Sequence, residues 1–65
     1  MKKLRKFTAE IGGAQVLATK LDVSRGLISH WFSGFRPITP EKAKRIELIS
    51  GGQVTRKDLR PDIFE

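Results

Sequence analysis

The sequence contains no cysteine, which excludes a disulfide framework and any thiolate metal site. A single histidine, His30, excludes multi-histidine metal centres and has no Ser-His-Asp arrangement around it to support nucleophilic catalysis. Long apolar runs are missing. Uninterrupted hydrophobic stretches reach only two or three residues, against the roughly 20 that a membrane span needs. The basic N-terminus carries Leu4, Phe7 and Ile11 at helical spacing, not the continuous apolar stretch and small-residue cleavage site of a signal peptide. Gly12-Gly13 and Gly51-Gly52 are not phosphate-binding loops, because no Lys-Ser/Thr pair follows either one and no strand precedes them. These absences point to a soluble cytoplasmic protein without cofactor or metal, and against an enzyme.

With 65 residues the chain is expected to form one domain over 1–65, with a small core that must be used well. The formal net charge is +6, and it is unevenly spread. Residues 1–45 hold ten Lys/Arg against three Asp/Glu, and residues 46–65 hold three against four. A basic excess of this size suits an anionic partner, nucleic acid first and an acidic membrane second. Small basic domains are also soluble for that reason alone.

Turn residues punctuate the chain at Gly12-Gly13, Asp22, Gly34, Pro37, Pro40, Gly51-Gly52 and Pro61. Strand-like alternation is absent, and the intervening segments have helical periodicity. Five helices are predicted. The first runs from about Lys2 to Ile11, with Leu4, Phe7 and Ile11 on one face. The second covers Gly13 to Leu21, with Leu17, Ala18 and Leu21 inward, and Asp22 follows in a turn that favours a residue tolerant of positive φ. The third starts at a Ser24 N-cap and ends near Phe32 or Ser33 before Gly34, with Leu27, Ile28 and Trp31 as its stripe. The fourth has Thr39 as N-cap, Pro40 at its first position and Glu41 in its first turn, and it buries Ala43, Ile46 and Ile49. Thr55 and Asp58 resemble a capping box for a last short turn over Arg56–Leu59. Ile63 and Phe64 either fold back on the core or serve an interface.

The informative stretch is AQVLATKLDVSRGLISHWFSG, Ala14 to Gly34. It reads as two short helices joined by a turn of three or four residues, with a reader unit over 14–33. Ala18 supplies the small residue needed where the helices cross. Leu17, Leu21, Val23, Ile28 and Trp31 fill the wedge beside it. Such a unit leaves the outer face of its second helix free to enter a DNA major groove. The spacing of Trp31 from Leu27 and Ile28 favours a core position over a stacking platform for single strands.

This arrangement resembles the helix-turn-helix of phage repressor and Cro proteins. The phrases GGAQVLATKLDVSRGLISHWFSGFRPIT, EKAKRIELISGG and VTRKDLRPDIF are similar to the Cro/YdaS antitoxin-type family of phage and prophage regulators, over residues 12–64. The resemblance implies an all-α, compact five-helix bundle that binds double-stranded operator DNA as a repressor, usually as a homodimer. It also admits a toxin or other protein as partner. Two positions depart from the pattern. Asp22 stands where the turn commonly has glycine, and Gly26 stands where the recognition helix usually has a side chain.

Recognition helices read bases near their N-terminal end and one turn later, here Ser24, Arg25, Gly26, Ser29 and His30. Arg25 is the foremost base contact, because a guanidinium can bond guanine O6 and N7 together. Ser29, on the same face, suits a base or a phosphate. Ser24 caps the helix and can also face a phosphate. Gly26 either lets the backbone approach DNA or leaves its position unread. His30 is either a base-edge contact or a solvent-facing histidine. Gln15, Lys20, Arg36 and Lys3 are phosphate candidates, with Lys2, Arg5 and Lys6 extending the basic field. Lys42, Lys44 and Arg45 join that field only if their helix faces DNA. Phe32, Phe35 and Phe64 are candidates for a dimer interface. Rival readings are a protein-interaction module and an amphipathic membrane binder built on Lys2–Lys6 with Leu4 and Phe7.

Overall fold

A computed structural model describes residues 1–64. It contains α1 (Lys2–Glu10), α2 (Ala14–Leu21), α3 (Arg25–Ser33), α4 (Pro40–Ile49) and α5 (Arg56–Leu59), with no strand among the described residues. The helices wrap around one core within 29 × 25 × 20 Å.

The helix starts follow local chemistry. The Ser24 hydroxyl accepts from the Leu27 N–H, and the Thr39 hydroxyl accepts from the Lys42 N–H ahead of Pro40. Thr55 and Asp58 form a reciprocal capping box. Each satisfies N–H groups that the first helical turn leaves without partners. The four longer helices end alike. After α1, the Gly13 N–H reaches back to the Thr8 carbonyl at 2.8 Å. The Val23, Phe35 and Gly52 N–H groups do the same to Ala18, His30 and Glu47 at 2.9–3.0 Å. This closure requires a residue at positive φ just past the helix. Glycine fills that place three times, and Asp22, with φ 56°, is the exception.

The core holds Leu4, Phe7, Leu17, Ala18, Leu21, Ile28, Trp31, Ile38, Ala43, Ile46, Val54 and Leu59. Ala18 is fully buried where α2 meets α3, so the small side chain sits where the sequence required it. Leu27 and Ile49 are only half-buried, because each lies at the margin of its helix's inner stripe. Two core residues lie outside any helix. Ile38 in the α3–α4 connection is 1% exposed, and Val54 before α5 is fully buried. Neither carries a periodic signal, so sequence patterning passed over both.

Leu4 and Phe7 belong to the core. Helix α1 therefore has no apolar face to lay into a bilayer, which overturns the membrane-binder rival. Among the described residues no helix is long and apolar enough to cross a membrane.

The C-terminal residues brace the α3–α4 connection. Arg60 Nη1 donates to the Ile38 carbonyl at 2.8 Å, while its Nε and Nη2 grip both Asp62 carboxylate oxygens at 3.0 and 2.8 Å. This forked hydrogen bonding raises the Arg60 pKa and lowers that of Asp62. Glu47 accepts from both the backbone N–H and the Nε of Arg56, tying α4 to α5. Those bonds hold its carboxyl below the usual range. The Thr55 N–H and hydroxyl lower Asp58 in the same way. No buried side-chain polar atom among the described residues lacks a partner.

Candidate nucleic-acid interface

Helix α3 is divided lengthwise by burial. Ile28 and Trp31, fully buried and 2% exposed, face the core, with Leu27 and Phe32 half-buried at the stripe's edges. Arg25, Gly26, Ser29, His30 and Ser33 are all exposed. Their spacing of i, i+1, i+4, i+5 and i+8 makes one continuous outer face. Ser24 stands exposed at the N-terminal end of that face, its hydroxyl occupied by the Leu27 N–H. All five proposed base contacts therefore share one solvent-facing surface, on a helix held from behind by α2.

Gly26 is not demanded by packing. A Cβ added there would meet only Ser24 Oγ at 3.8 Å, ordinary contact distance. Its φ also lies outside the left-handed region. Glycine inside a helix costs stability, and neither the packing nor the backbone here returns anything for it.

His30 and Phe35 form a pair at the far end of the same face. Their ring centroids are 4.8 Å apart and tilted by 55°, a favourable aromatic geometry. Phe35 is 71% exposed. The His30 carbonyl accepts the N–H groups of both Phe35 and Arg36. That fixes the chain where it leaves α3 and holds exposed Arg36 beside the helix end.

The other candidates are distributed less evenly. Gln15 and Lys20 are exposed on α2, with Gln15 Nε2 donating to Thr19 Oγ1 at 3.5 Å near the start of that helix. Lys3 instead pairs with Asp58 at 3.3 Å on the α5 side. Positions 3 and 5 lie about 200° apart around a helix, so Arg5 projects the opposite way and reaches α3. Its guanidinium covers the half-buried Phe32 ring with Cζ 4.6 Å from the centroid. The Phe64 ring is half-buried and flanked by Lys44 Nζ at 5.9 Å and Arg56 Cζ at 5.6 Å. Of the three phenylalanines named as interface candidates, Phe35 is the one that stands open. Ile63 is 46% exposed.

An open cleft of about 580 Å³ lies between the end of α2 and α4, lined by Leu21, Asp22, Glu41, Lys42, Lys44, Arg45, Leu48 and Arg56. Leu48 is 75% exposed. Lys42 is drawn toward α2, its Nζ donating to the Leu21 carbonyl at 3.3 Å. The sequence offers this helix only as an extension of the basic field, and the cleft leaves little mark in it. Leu48, one place off the Ile46–Ile49 stripe, was its one available signal.

Residues 4–65 match a family model described as bacterial toxin YdaS. A relative from Escherichia coli K12 described as transcriptional regulator YdaS is 36% identical over 59 residues, covering 91% of this chain. The chain spans 60% of that relative's length. The regulatory protein cro of Pseudomonas phage D3 is 30% identical over 57 residues, covering 88% of this chain and 78% of its own. Among solved structures, a Cro protein from prophage element Xfaso 1 of Xylella fastidiosa strain Ann-1 superimposes with a TM-score of 0.87. It is 29% identical, and the match covers 100% of this chain and 98% of that one. The motifs from Gly12 to Phe64, the five-helix arrangement and these similarities agree: the chain belongs to the YdaS/Cro family of phage and prophage helix-turn-helix transcriptional regulators.

Proposed function

We propose that this protein reads double-stranded DNA through α3 and represses transcription by occupying an operator. The observation that carries this reading is the outer face of α3. Arg25, Gly26, Ser29 and His30 are all exposed there, while Ile28 and Trp31 anchor the opposite face. A dimer would set two such helices in successive major grooves, about 34 Å apart. Arg25 chooses sequence by pairing with a guanine edge, and Ser29 and His30 read its neighbours. Ser24, Gln15, Lys20 and Arg36 hold phosphates and set register. Lys3, engaged by Asp58, adds to the field from farther away. Gly26 admits the DNA closely where a side chain would stand off. Exposed Phe35, just past the reading helix, is the favoured contact between protomers, with Phe32 and Phe64 behind it. The cytoplasm is the site of this action.

The test is selection of duplexes from a random pool, followed by titration of wild type and Arg25→Ala across a salt series. The expected result is a shared sequence motif whose discrimination falls by about 1–3 kcal/mol in Arg25→Ala. Lys20→Ala should weaken all duplexes alike and flatten the log–log salt slope by about 0.9. Absence of any enriched motif, with binding lost at physiological salt, would refute sequence-specific reading.

A second reading, binding of a toxin or other protein partner, draws on the cleft beside α4. There Leu48 stands exposed among Lys44, Arg45 and Arg56, which suits an acidic, apolar partner surface. Leu48→Glu distinguishes the readings. It should leave DNA binding intact and abolish association with a protein encoded beside this one, and loss of DNA binding alone would count against a partner at this cleft.

A further inference from the structure

The end of α3 meets a problem common to helices, because its last carbonyls have no N–H partner within the helix. The chain beyond satisfies two of them. The His30 carbonyl accepts from Phe35 and Arg36, and the Trp31 carbonyl accepts from Gly34. The Phe32 carbonyl is taken from elsewhere in the fold: Arg5 Nη2, 27 residues earlier, donates to it at 3.2 Å. The same guanidinium lies over the Phe32 ring, 4.6 Å from its centroid. One side chain therefore holds one residue at two points, carbonyl and ring. A planar, forked cation suits both contacts better than a lysine ammonium would. Positive charge is also favoured at the C-terminal end of a helix. On the other side of α1, Lys3 is tied to Asp58, so α1 is strapped to α5 and to α3 at once.

We infer that Arg5 is a positioning residue, clamping the last turn of α3 to α1 and so setting the angle at which Arg25, Ser29 and His30 meet DNA. The inference rests on the DNA-reading function proposed above. It moves Arg5 out of the diffuse basic field, because a guanidinium engaged by the Phe32 carbonyl and ring serves geometry before phosphate neutralisation. Helix α3 is short, about 13 Å from end to end, so a small rotation at its last turn displaces Arg25 at its first. Base-edge hydrogen bonds fail within a few tenths of an ångström. Attraction to phosphates tolerates far more. Loosening the clamp therefore weakens selective binding and spares the non-selective kind.

The experiment compares the full chain with Arg5→Gln and Arg5→Lys on a selected duplex and on its scrambled counterpart, over a potassium chloride series. Amide hydrogen exchange is followed in the absence of DNA. Arg5→Gln is expected to bind the selected duplex about fivefold more weakly, the size of a lost cation–π contact and helix-end charge, and Arg5→Lys, which keeps the charge but not the planar fork, about twofold more weakly. Binding to the scrambled duplex stays within about twofold, and the salt slope is unchanged. The Gly34 and Phe35 amides exchange faster by a similar factor, and those of α4 do not. The proposal is overturned if Arg5→Gln weakens both duplexes equally and flattens the salt slope by about 0.9, with Arg5→Lys restoring both, because Arg5 is then a phosphate contact. Unchanged exchange at the end of α3 overturns it as well. If wild type selects no duplex, DNA reading is what has failed. The exchange result then judges the clamp alone, faster exchange confined to the end of α3 supporting it and unchanged exchange refuting it.

Discussion

Asp22 is the one non-glycine residue at positive φ among the described residues, at φ 56° and ψ 47°. It occupies the turn between the two helices of the reader unit, where its backbone lets the Val23 N–H close on the Ala18 carbonyl at 3.0 Å. An L-residue in this conformation carries roughly 1–2 kcal/mol of strain, with Asp near the low end. Its carboxylate also stands at the negative end of α2, adding a few tenths. Replacing it by glycine removes both costs and adds about 0.4–1 kcal/mol of chain entropy to the unfolded state. The expected net effect of Asp22→Gly is a stabilisation of about 0.5–1 kcal/mol. In a domain of this size that raises Tm by about 2–8 °C. Asp22→Ala separates the causes, since it removes the charge and keeps the strained backbone. Thermal and urea unfolding followed by circular dichroism measure all three proteins, with the urea m-value as a check that compactness is unchanged. Glycine at or below alanine in stability would refute the reasoning, because strain at this φ would then carry no cost.

Other consequences are as direct. Ile38→Ala, in a connection rather than a helix, should cost about 2–4 kcal/mol because its side chain is 1% exposed; a cost below about 1 kcal/mol in urea unfolding would deny it a core role. Gly26→Ala should stabilise the fold by about 0.5–1 kcal/mol, since its Cβ would meet only ordinary contact. The same variant should bind selected DNA more weakly if the backbone approaches the duplex there, and unchanged affinity would mark position 26 as unread. The carboxyls of Glu47, Asp58 and Asp62 are all lowered on folding, through hydrogen bonds from Arg56, Thr55 and Arg60 respectively. Each therefore contributes stability that is complete above its ordinary value, 4.5 for Glu47 and 3.8 for the aspartates, and that fades as pH falls through the lowered values. Acid unfolding should begin below about pH 4.5 and be shallower in Glu47→Gln; equal slopes for the variant and wild type would contradict this assignment.

Much of the fold was legible because its signals are local. Ser24, Thr39 with Pro40, and the Thr55–Asp58 box each announce a helix start through the side chain's own reach to an N–H three residues on. Gly12, Gly34 and Gly51 announce stops for an equally local reason. The apolar spacing from Leu17 to Trp31 encodes the crossing of α2 and α3, since residues on one helical stripe have only one face to bury. For the same reason the outer face of α3, and with it Arg25, Ser29 and His30, could be named by subtraction from the buried stripe.

What the tertiary structure decided are pairings between residues far apart in the chain. Position and charge alone gave Lys3 and Arg5 similar roles, yet one is tied to Asp58 and the other grips Phe32. Ile38 and Val54 entered the core only because other elements close over them, and Arg60 holds the Ile38 carbonyl from 22 residues away. The cleft at Leu48 exists only where α2 and α4 meet. A helical period records which way a residue faces along its own segment. It holds no record of which distant segment arrives there, because that follows from how five short helices share one small core.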